Sequence, residues 1–268
     1  MIPEWEANTV YMTSLFDSEH PRLSKRIKDF LKKEGIPVRF IDGAADFWCR
    51  DFMPFQKDEN KFVWFDYDPH YLKKCPEYRT DQSELVWDKF GEIKKIRVKL
   101  DGGALVHSRN YAIVSEDIVR YNSQSFNKLC KIISDELEVE VYSIPHIRYD
   151  RYGHADGVVR FIDENTVLIS SYLYDDEKKM IERRLKSFNT VFLEVGNHHR
   201  APWMYINYLR VGDVIVVPII GSENNNDVMA EFERIFGGKK IHFVPLATVV
   251  KHGGALHCIT WEIKTDPA

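Results

Sequence analysis

The chain of 268 residues has four cysteines, Cys49, Cys75, Cys130 and Cys258, and no paired C-x-x-C spacing. That scarcity excludes a disulfide scaffold and a thiolate zinc knuckle, and makes a reducing compartment, the cytoplasm, the expected location. Long apolar runs are missing as well. The most apolar segment, Val214 to Ile220, falls far short of the roughly 20 residues that cross a bilayer, so it reads as a buried strand and no membrane partner is expected. The opening residues carry Glu4 and Glu6 where a signal peptide needs positive charge and an apolar stretch, so the mature protein is expected to begin here. Neither charge sign dominates. With 37 Lys plus Arg against 41 Asp plus Glu the net charge is −4, which gives no electrostatic reason to expect a nucleic-acid partner. No Pro-rich or Gly/Ser-rich linker and no low-complexity segment interrupts the chain, so a single domain over residues 1–268 is expected.

What is present is a repeating pattern. A composition of 44% hydrophobic and 29% charged residues supports a folded core rather than disorder. Two short apolar runs joined by a turn, an amphipathic helical stretch and a third apolar run recur along the chain. The clearest copy has strands at Gly157–Ile162 and Thr166–Ser170, a helix from Asp175 to Phe188 opening on acids that favour its N-terminal dipole, and a third strand at Val191–Glu194. Another copy runs from Gly103 to Val141, with a strand at Ala112–Ser115 and a helix at Phe126–Glu136. A further one has strands at Trp203–Leu209 and Val214–Pro218, the polar turn 221–226, a helix at Asp227–Phe236 and a strand at Ile241–Val244. The N-terminal part supplies Thr9–Met12, the helix Pro21–Glu34 and Val38–Ile41, while Gln56 to Ile96 is irregular. A period of roughly 50 residues is the scale of a propeller or array, with room for about five units.

Four polar clusters stand at the ends of apolar runs: Asp46-Phe-Trp-Cys-Arg-Asp51 before Pro54, Leu100-Asp-Gly-Gly-Ala104, Gly153-His-Ala-Asp156, and the segment from His252 to Thr260. Taken singly each has a plain structural reading. A lone cysteine is mostly a small buried hydrophobe, His-x-Asp is a common turn feature, and Arg50-Asp51 is a salt-bridged corner. Together they bring a thiol, an imidazole and three carboxylates to strand ends. That combination suits attack on a planar, cationic carbon: paired carboxylates hold a guanidinium in plane, and a thiolate attacks it. An imidazole can then protonate departing ammonia and later activate water. Gly102-Gly103 and Gly253-Gly254 turn the chain and leave room beside a reactive side chain. Trp48 reads equally as a cation–π face for the substrate and as a packing residue, and Cys49 is not expected to be catalytic.

These clusters resemble the motifs of the agmatine deiminase and bacterial-type peptidylarginine deiminase family. Asp46-Phe-Trp48-Cys-Arg50-Asp51-Phe-Met-Pro54 is similar to D-x-W-x-R-D-x-x-P, and Leu100-Asp101-Gly102-Gly103 to L-E-G-G. Gly153-His154-Ala-Asp156 is similar to G-H-x-D, and Gly253-Gly254-Ala-Leu-His257-Cys258-Ile-Thr260 to G-G-x-x-H-C-x-T. Tyr205-Ile-Asn207-Tyr208 and Val216-Val217-Pro218 also resemble strands of that family.

The resemblance implies the pentein fold, an α/β propeller of five strand-strand-helix-strand blades around a central active site. It also implies a C–N hydrolase that converts a guanidino group, of agmatine or a related arginine derivative, to a ureido group and ammonia through a covalent thiouronium, without cofactor or metal. The agmatine reading implies putrescine biosynthesis. Carried over, Cys258 is the nucleophile, His154 the general acid and base, and Asp51 and Asp156 the guanidinium carboxylates. Asp101 takes the place of the family's glutamate, one methylene shorter. Trp48, Arg50, Asp101, Gly103 and Gly254 are expected to contact the substrate. Ala255 and His252 depart from residues frequent in agmatine deiminases, so the substrate's tail stays open. The partner is a small guanidino compound, and whether copies of the chain associate is open.

Three other readings compete. An amidinotransferase would keep the covalent intermediate and pass the amidino group to an amine. A non-catalytic guanidinium-binding module would need the carboxylates but not the thiol beside an imidazole. A metal hydrolase would draw on His154, Asp156, His198, His199 and His257, yet His198-His199 reads as a loop and no H-E-x-x-H helix is present.

Overall fold

The computed structural model describes residues 1–85, 90–195, 201–220 and 225–266. Its strands form five three-stranded sheets among the described residues. In every sheet the middle strand runs antiparallel to one neighbour and parallel to the other. Antiparallel neighbours need only a tight turn, whereas parallel ones need a crossover, and this asymmetry is what produces the strand-strand-helix-strand order.

Four crossovers are helices: Pro21–Lys33, Phe126–Leu137, Asp175–Arg184 and Asn226–Phe236. Three of them bury one face at helical spacing, through Ile27 and Leu31, through Leu129, Ile133 and Leu137, and through Val228, Phe232 and Phe236. The helix at Asp175 ends at Arg184, four residues short of the expected Phe188. Its first turn is capped from within, since Glu177 Oε2 accepts from Tyr174 N at 3.0 Å.

The segment that looked irregular holds a complete sheet. Strands Phe55–Asp58, Lys61–Asp66 and Glu92–Lys99 pair in the same pattern as the other blades. Its crossover carries the single-turn helices His70–Leu72, Pro76–Tyr78 and Gln82–Glu84 instead of an α-helix. Pro69 and Pro76 lack the amide hydrogens that a continuous helix would use there. The remaining sheet is closed by the chain's far end: Trp261–Ile263 pairs antiparallel with Thr9–Thr13, which pairs parallel with Val38–Ile41. The fold is therefore the expected five-bladed α/β propeller.

Where the sequence pattern put long first strands, the chain instead makes a short 3-10 turn before a shorter strand. Trp203–Leu209 is not a strand; Pro202–Ile206 is a 3-10 turn and the strand is Leu209–Val211. Likewise the turns Gly102–Ala104 and Ala155–Gly157 precede strands Leu105–His107 and Val159–Asp163. These turns lie against one another, and the first also meets the helical turn Cys49–Phe52. Val214–Ile219 is buried along nearly its whole length, as its apolar sequence requires. The polar turn expected at 221–226 lies largely outside the described residues. No described helix is long and apolar enough to cross a membrane.

Candidate active site

The lead-in to the first strand of each blade delivers one polar side chain. Asp51, Asp101, Asp156, Asn207 and Cys258 stand two to four residues before the strands at Phe55, Leu105, Val159, Leu209 and Trp261. The repeat thus aims five side chains at one place. At Asp51 the local cause is Pro54, which holds Met53 extended and ends the helical turn at Phe52.

At His154 it is Asp150, whose carboxylate accepts from Tyr152 N at 2.8 Å and His154 N at 2.6 Å. Between them Gly153 sits at φ +79°, with Asp117 where a Cβ would lie.

Asn207, which sequence reasoning placed only as part of a family strand, ties the site together. Its Nδ2 donates to Asp156 Oδ2 at 3.1 Å, and its Oδ1 accepts from Ala255 N at 3.1 Å and Cys258 N at 3.3 Å. Cys258 Sγ lies 3.7 Å from the same Asp156 oxygen. His154 Nε2 is 3.4 Å from Asp101 Oδ2, and its Nδ1 is 3.8 Å from Asp51 Oδ1. The shorter acid at position 101 therefore still reaches the imidazole directly. Its other oxygen, Oδ1, is buried without a hydrogen-bond partner.

Asp51 in turn accepts from Gly103 N at 3.1 Å and from the Tyr71 hydroxyl at 3.4 Å. Tyr71 was missed because it lies in the irregular segment, and it packs edge-on to Tyr152 and His154.

Cys258 and His154 open onto a cavity of about 400 Å³, walled further by Tyr149, Tyr172, Trp203 and Gly254. A recess of about 50 Å³ extends it towards Trp48, Asp51 and Tyr71. Trp48 lines this recess and packs its ring against Gly254 where a Cβ would otherwise be.

Arg50 does not meet its expectation as a substrate contact. Its guanidinium pairs with Glu262 and donates to His257 O at 3.3 Å, and it lines neither cavity. Its role is to anchor the lead-in, because its backbone N donates to Cys258 O at 3.2 Å.

Gly103 likewise lines neither cavity and acts through close approach: a Cβ there would fall 2.7 Å from His154 Nδ1 and 2.9 Å from Asp51 Oδ1. Gly103→Ala is accordingly expected to push those two side chains apart. Displacements near 1 Å at a reacting centre cost about 10²-fold in rate, so kcat/KM should fall by that order, and a variant within threefold of wild type would contradict this placement.

Cys49 is fully buried with Sγ 3.8 Å from Tyr11 O, away from the cavity. His198 and His199 lie outside the described residues. Glu4, His257 and Glu262 do gather ligand-type atoms, but the cluster does not fit a cation. Arg160 already pairs with Glu4 at 2.5 Å and Arg50 with Glu262, so two guanidiniums occupy the charge a metal would need.

Burial sets the electrostatics. It pushes the Cys258 thiol well above its ordinary value, and the negative charges of Asp156 and Asp51 push the same way. Burial alone would lower His154, but Asp51, Asp101 and Asp156 hold it well above its usual value. Burial also raises Asp51 to about 7 against the pull of His154, with Asp101 and Asp156 adding to the rise. The resting pair is therefore a thiol facing an imidazolium.

Because folded Asp51 keeps its proton up to about 7 while the unfolded chain loses it near the ordinary carboxylate value of about 4, stability contributed by this group falls as pH rises across that window. The melting temperature of the wild type should decline between about pH 4 and pH 7 more steeply than that of Asp51→Asn. Parallel declines in the two proteins would show that Asp51 does not titrate there.

Comparison with known proteins bears on the fold and the family. The structure of C. jejuni agmatine deiminase superposes with a TM-score of 0.75 at 18% identity, covering 97% of this chain and 94% of that one. Agmatine deiminase of Enterococcus faecalis gives 0.73 at 16% identity over 99% and 96%. At such identities the likeness establishes the fold, a pentein propeller.

A curated Enterococcus faecalis protein, provisionally named an agmatine deiminase, is 39% identical over 58 residues, which is 22% of this chain and only 16% of that protein's length. Residues 6–263 match the model of the Porphyromonas-type peptidyl-arginine deiminases. The chain belongs to that family, a family of C–N hydrolases.

Proposed function

We propose that the protein is a guanidino-group deiminase that hydrolyses agmatine or a related arginine derivative to the ureido compound and ammonia. The observation that carries this reading is the convergence of Cys258, His154, Asp51 and Asp156 on one cavity, with Asp101, which was expected to contact the substrate, lining neither the cavity nor its recess and reaching only His154. A guanidinium entering between Asp51 and Asp156 would be held in plane by charge-assisted hydrogen bonds.

Its positive charge offsets the carboxylates that raise the Cys258 thiol, so the thiol releases its proton to solvent as the substrate docks, and the thiolate attacks the guanidinium carbon. His154 waits protonated, held so by the surrounding acids, and gives its proton to the departing nitrogen. The C–N bond breaks, ammonia leaves, and a thiouronium stays on sulfur. Neutral His154 then takes a proton from water as the hydroxide adds to the same carbon. Expulsion of the Cys258 thiolate, with the hydroxyl proton passing to the leaving sulfur, leaves the ureido product and the thiol.

The exposed Arg151 and Lys251 also line the cavity, so an anionic tail has potential counter-ions there. The test is release of ammonia and ureido product from agmatine, arginine, N-substituted arginines and arginyl peptides. Turnover of any of these supports the reading and ranks the tails. A folded protein inert to the whole panel, or one that yields product only with an added amine acceptor, would overturn it.

A further inference from the structure

Beneath the site lies a buried run of charge that the reaction above leaves unused. Asp156 Oδ2 is 2.6 Å from His257 Nδ1, and the opposite ring nitrogen, Nε2, is 3.2 Å from Glu4 Oε1. Glu262 Oε1 stands 3.9 Å from the same Nε2. Arg160 pairs with Glu4 and Arg50 with Glu262, so the far side of the imidazole is walled by two ion pairs. His257 is 2% exposed and Asp156 is 1% exposed, so bulk solvent does not screen their contact.

Ionised carboxylates only accept hydrogen bonds, and the ring therefore serves Asp156 and Glu4 together only with a hydrogen on each nitrogen. It then brings positive charge to a carboxylate that burial would otherwise neutralise. The behaviour of Asp156 agrees: burial alone would raise it, yet the His257 hydrogen bond and charge, joined by His154 and Arg160, hold it below the ordinary carboxylate value.

We propose that His257 is a positioning residue of the deiminase, clamping Asp156 as an oriented carboxylate beneath Cys258, and that Glu4 completes the clamp from the far side. The inference rests on the reading of Asp156 as a guanidinium carboxylate. With Oδ2 taken by His257 and Asn207, Oδ1 is the oxygen left for substrate. The turn Glu4–Glu6 that carries Glu4 packs on the strands Leu209–Val211 and Trp261–Ile263, so two blades hold the end of the clamp in place.

The experiment follows the carboxyl 13C resonance of Asp156, in full-length protein labelled at aspartate, through a pH titration, with Asp156→Asn to identify the signal. In His257→Gln the Asp156 midpoint is expected to rise by at least about one pH unit, and the acid limb of kcat/KM to rise with it, a loss of about tenfold on that limb. Glu4→Gln should shift both in the same direction by less, and Glu4→Asp should return them toward wild type. A folded His257→Gln with an unmoved Asp156 midpoint overturns the proposal, as does a loss of activity equal at every pH. If His257→Gln fails to fold, equal midpoints in Glu4→Gln and Glu4→Asp overturn it. If the wild type acts on no guanidino compound, the deiminase reading fails, while the NMR titration still decides whether the clamp exists.

Discussion

Cys258→Ser is expected to lower kcat/KM for the best guanidino substrate by at least about 10⁴-fold, the scale on which loss of an activated nucleophile acts, while the fold survives. A serine hydroxyl is far less acidic than a thiol, and here it would face Asp156 and Asp51, which already oppose ionisation of the cysteine. Docking of a cationic substrate compensates a thiol whose value is raised; it does not compensate an alcohol. The structural cost is small because a hydroxyl fits where the thiol sits, 3.7 Å from Asp156, and the loop is held by Asn207 through the Ala255 and Cys258 backbone amides. Ammonia release and circular dichroism measured on the same samples read both halves of the expectation. A folded serine variant that keeps a tenth of wild-type turnover would remove Cys258 from the role of nucleophile.

The largest stability effect is expected at Arg160, which no sequence motif marks. It is 1% exposed, donates to Tyr208 O at 2.8 Å, pairs with Glu4 at 2.5 Å and stacks on the Tyr208 ring with its guanidinium carbon 4.5 Å from the centroid. Burial alone would lower its affinity for the proton, but Glu4 more than offsets that and holds it charged. Arg160→Ala leaves Glu4 with His257 as its remaining partner and leaves a buried carbonyl unpaired, a class of change that costs about 3–5 kcal/mol. In a chain of this size that corresponds to a melting-temperature drop of roughly ten degrees. Arg160→Lys should recover part of it, since one charge is restored without the planar fork. A decrease under about two degrees for Arg160→Ala would mean the cluster is solvated and contributes little.

These two positions differ in how far they could be read in advance. Cys258 sits in a motif whose glycines and following threonine are local, and the repeat of apolar runs around it is local too. Arg160 looks like an ordinary polar interruption of a strand, because its partner Glu4 is 156 residues away and the stacking ring 48. The same distinction explains Arg50. Its place beside Asp51 suggested the substrate, but Glu262, whose strand closes the ring of blades, is 212 residues away and draws the guanidinium out of the cavity.

The blade between Gln56 and Ile96 escaped the sequence pattern for another reason: its crossover lacks the amphipathic helix that made the other units visible. Tyr71, and with it a hydroxyl on Asp51, was hidden by the same irregularity.

By itself the sequence determined the class of fold and the chemistry available to it. Strand and helix periods and turn residues act over a few neighbours, and a repeat of them specifies blades. The thiol, the imidazole and the acids are visible as residue types wherever the chain carries them. Only the tertiary structure decided which of those groups face one another, because closing a propeller joins segments that lie far apart in the chain, 53 residues for His154 and Asp101 and 102 for Cys258 and Asp156. That closure pairs Cys258 with Asp156, sets His154 between Asp51 and Asp101, and places His257 between Asp156 and Glu4. The protonation that the proposed chemistry needs follows from burial in that closed centre, where water no longer screens one charge from the next.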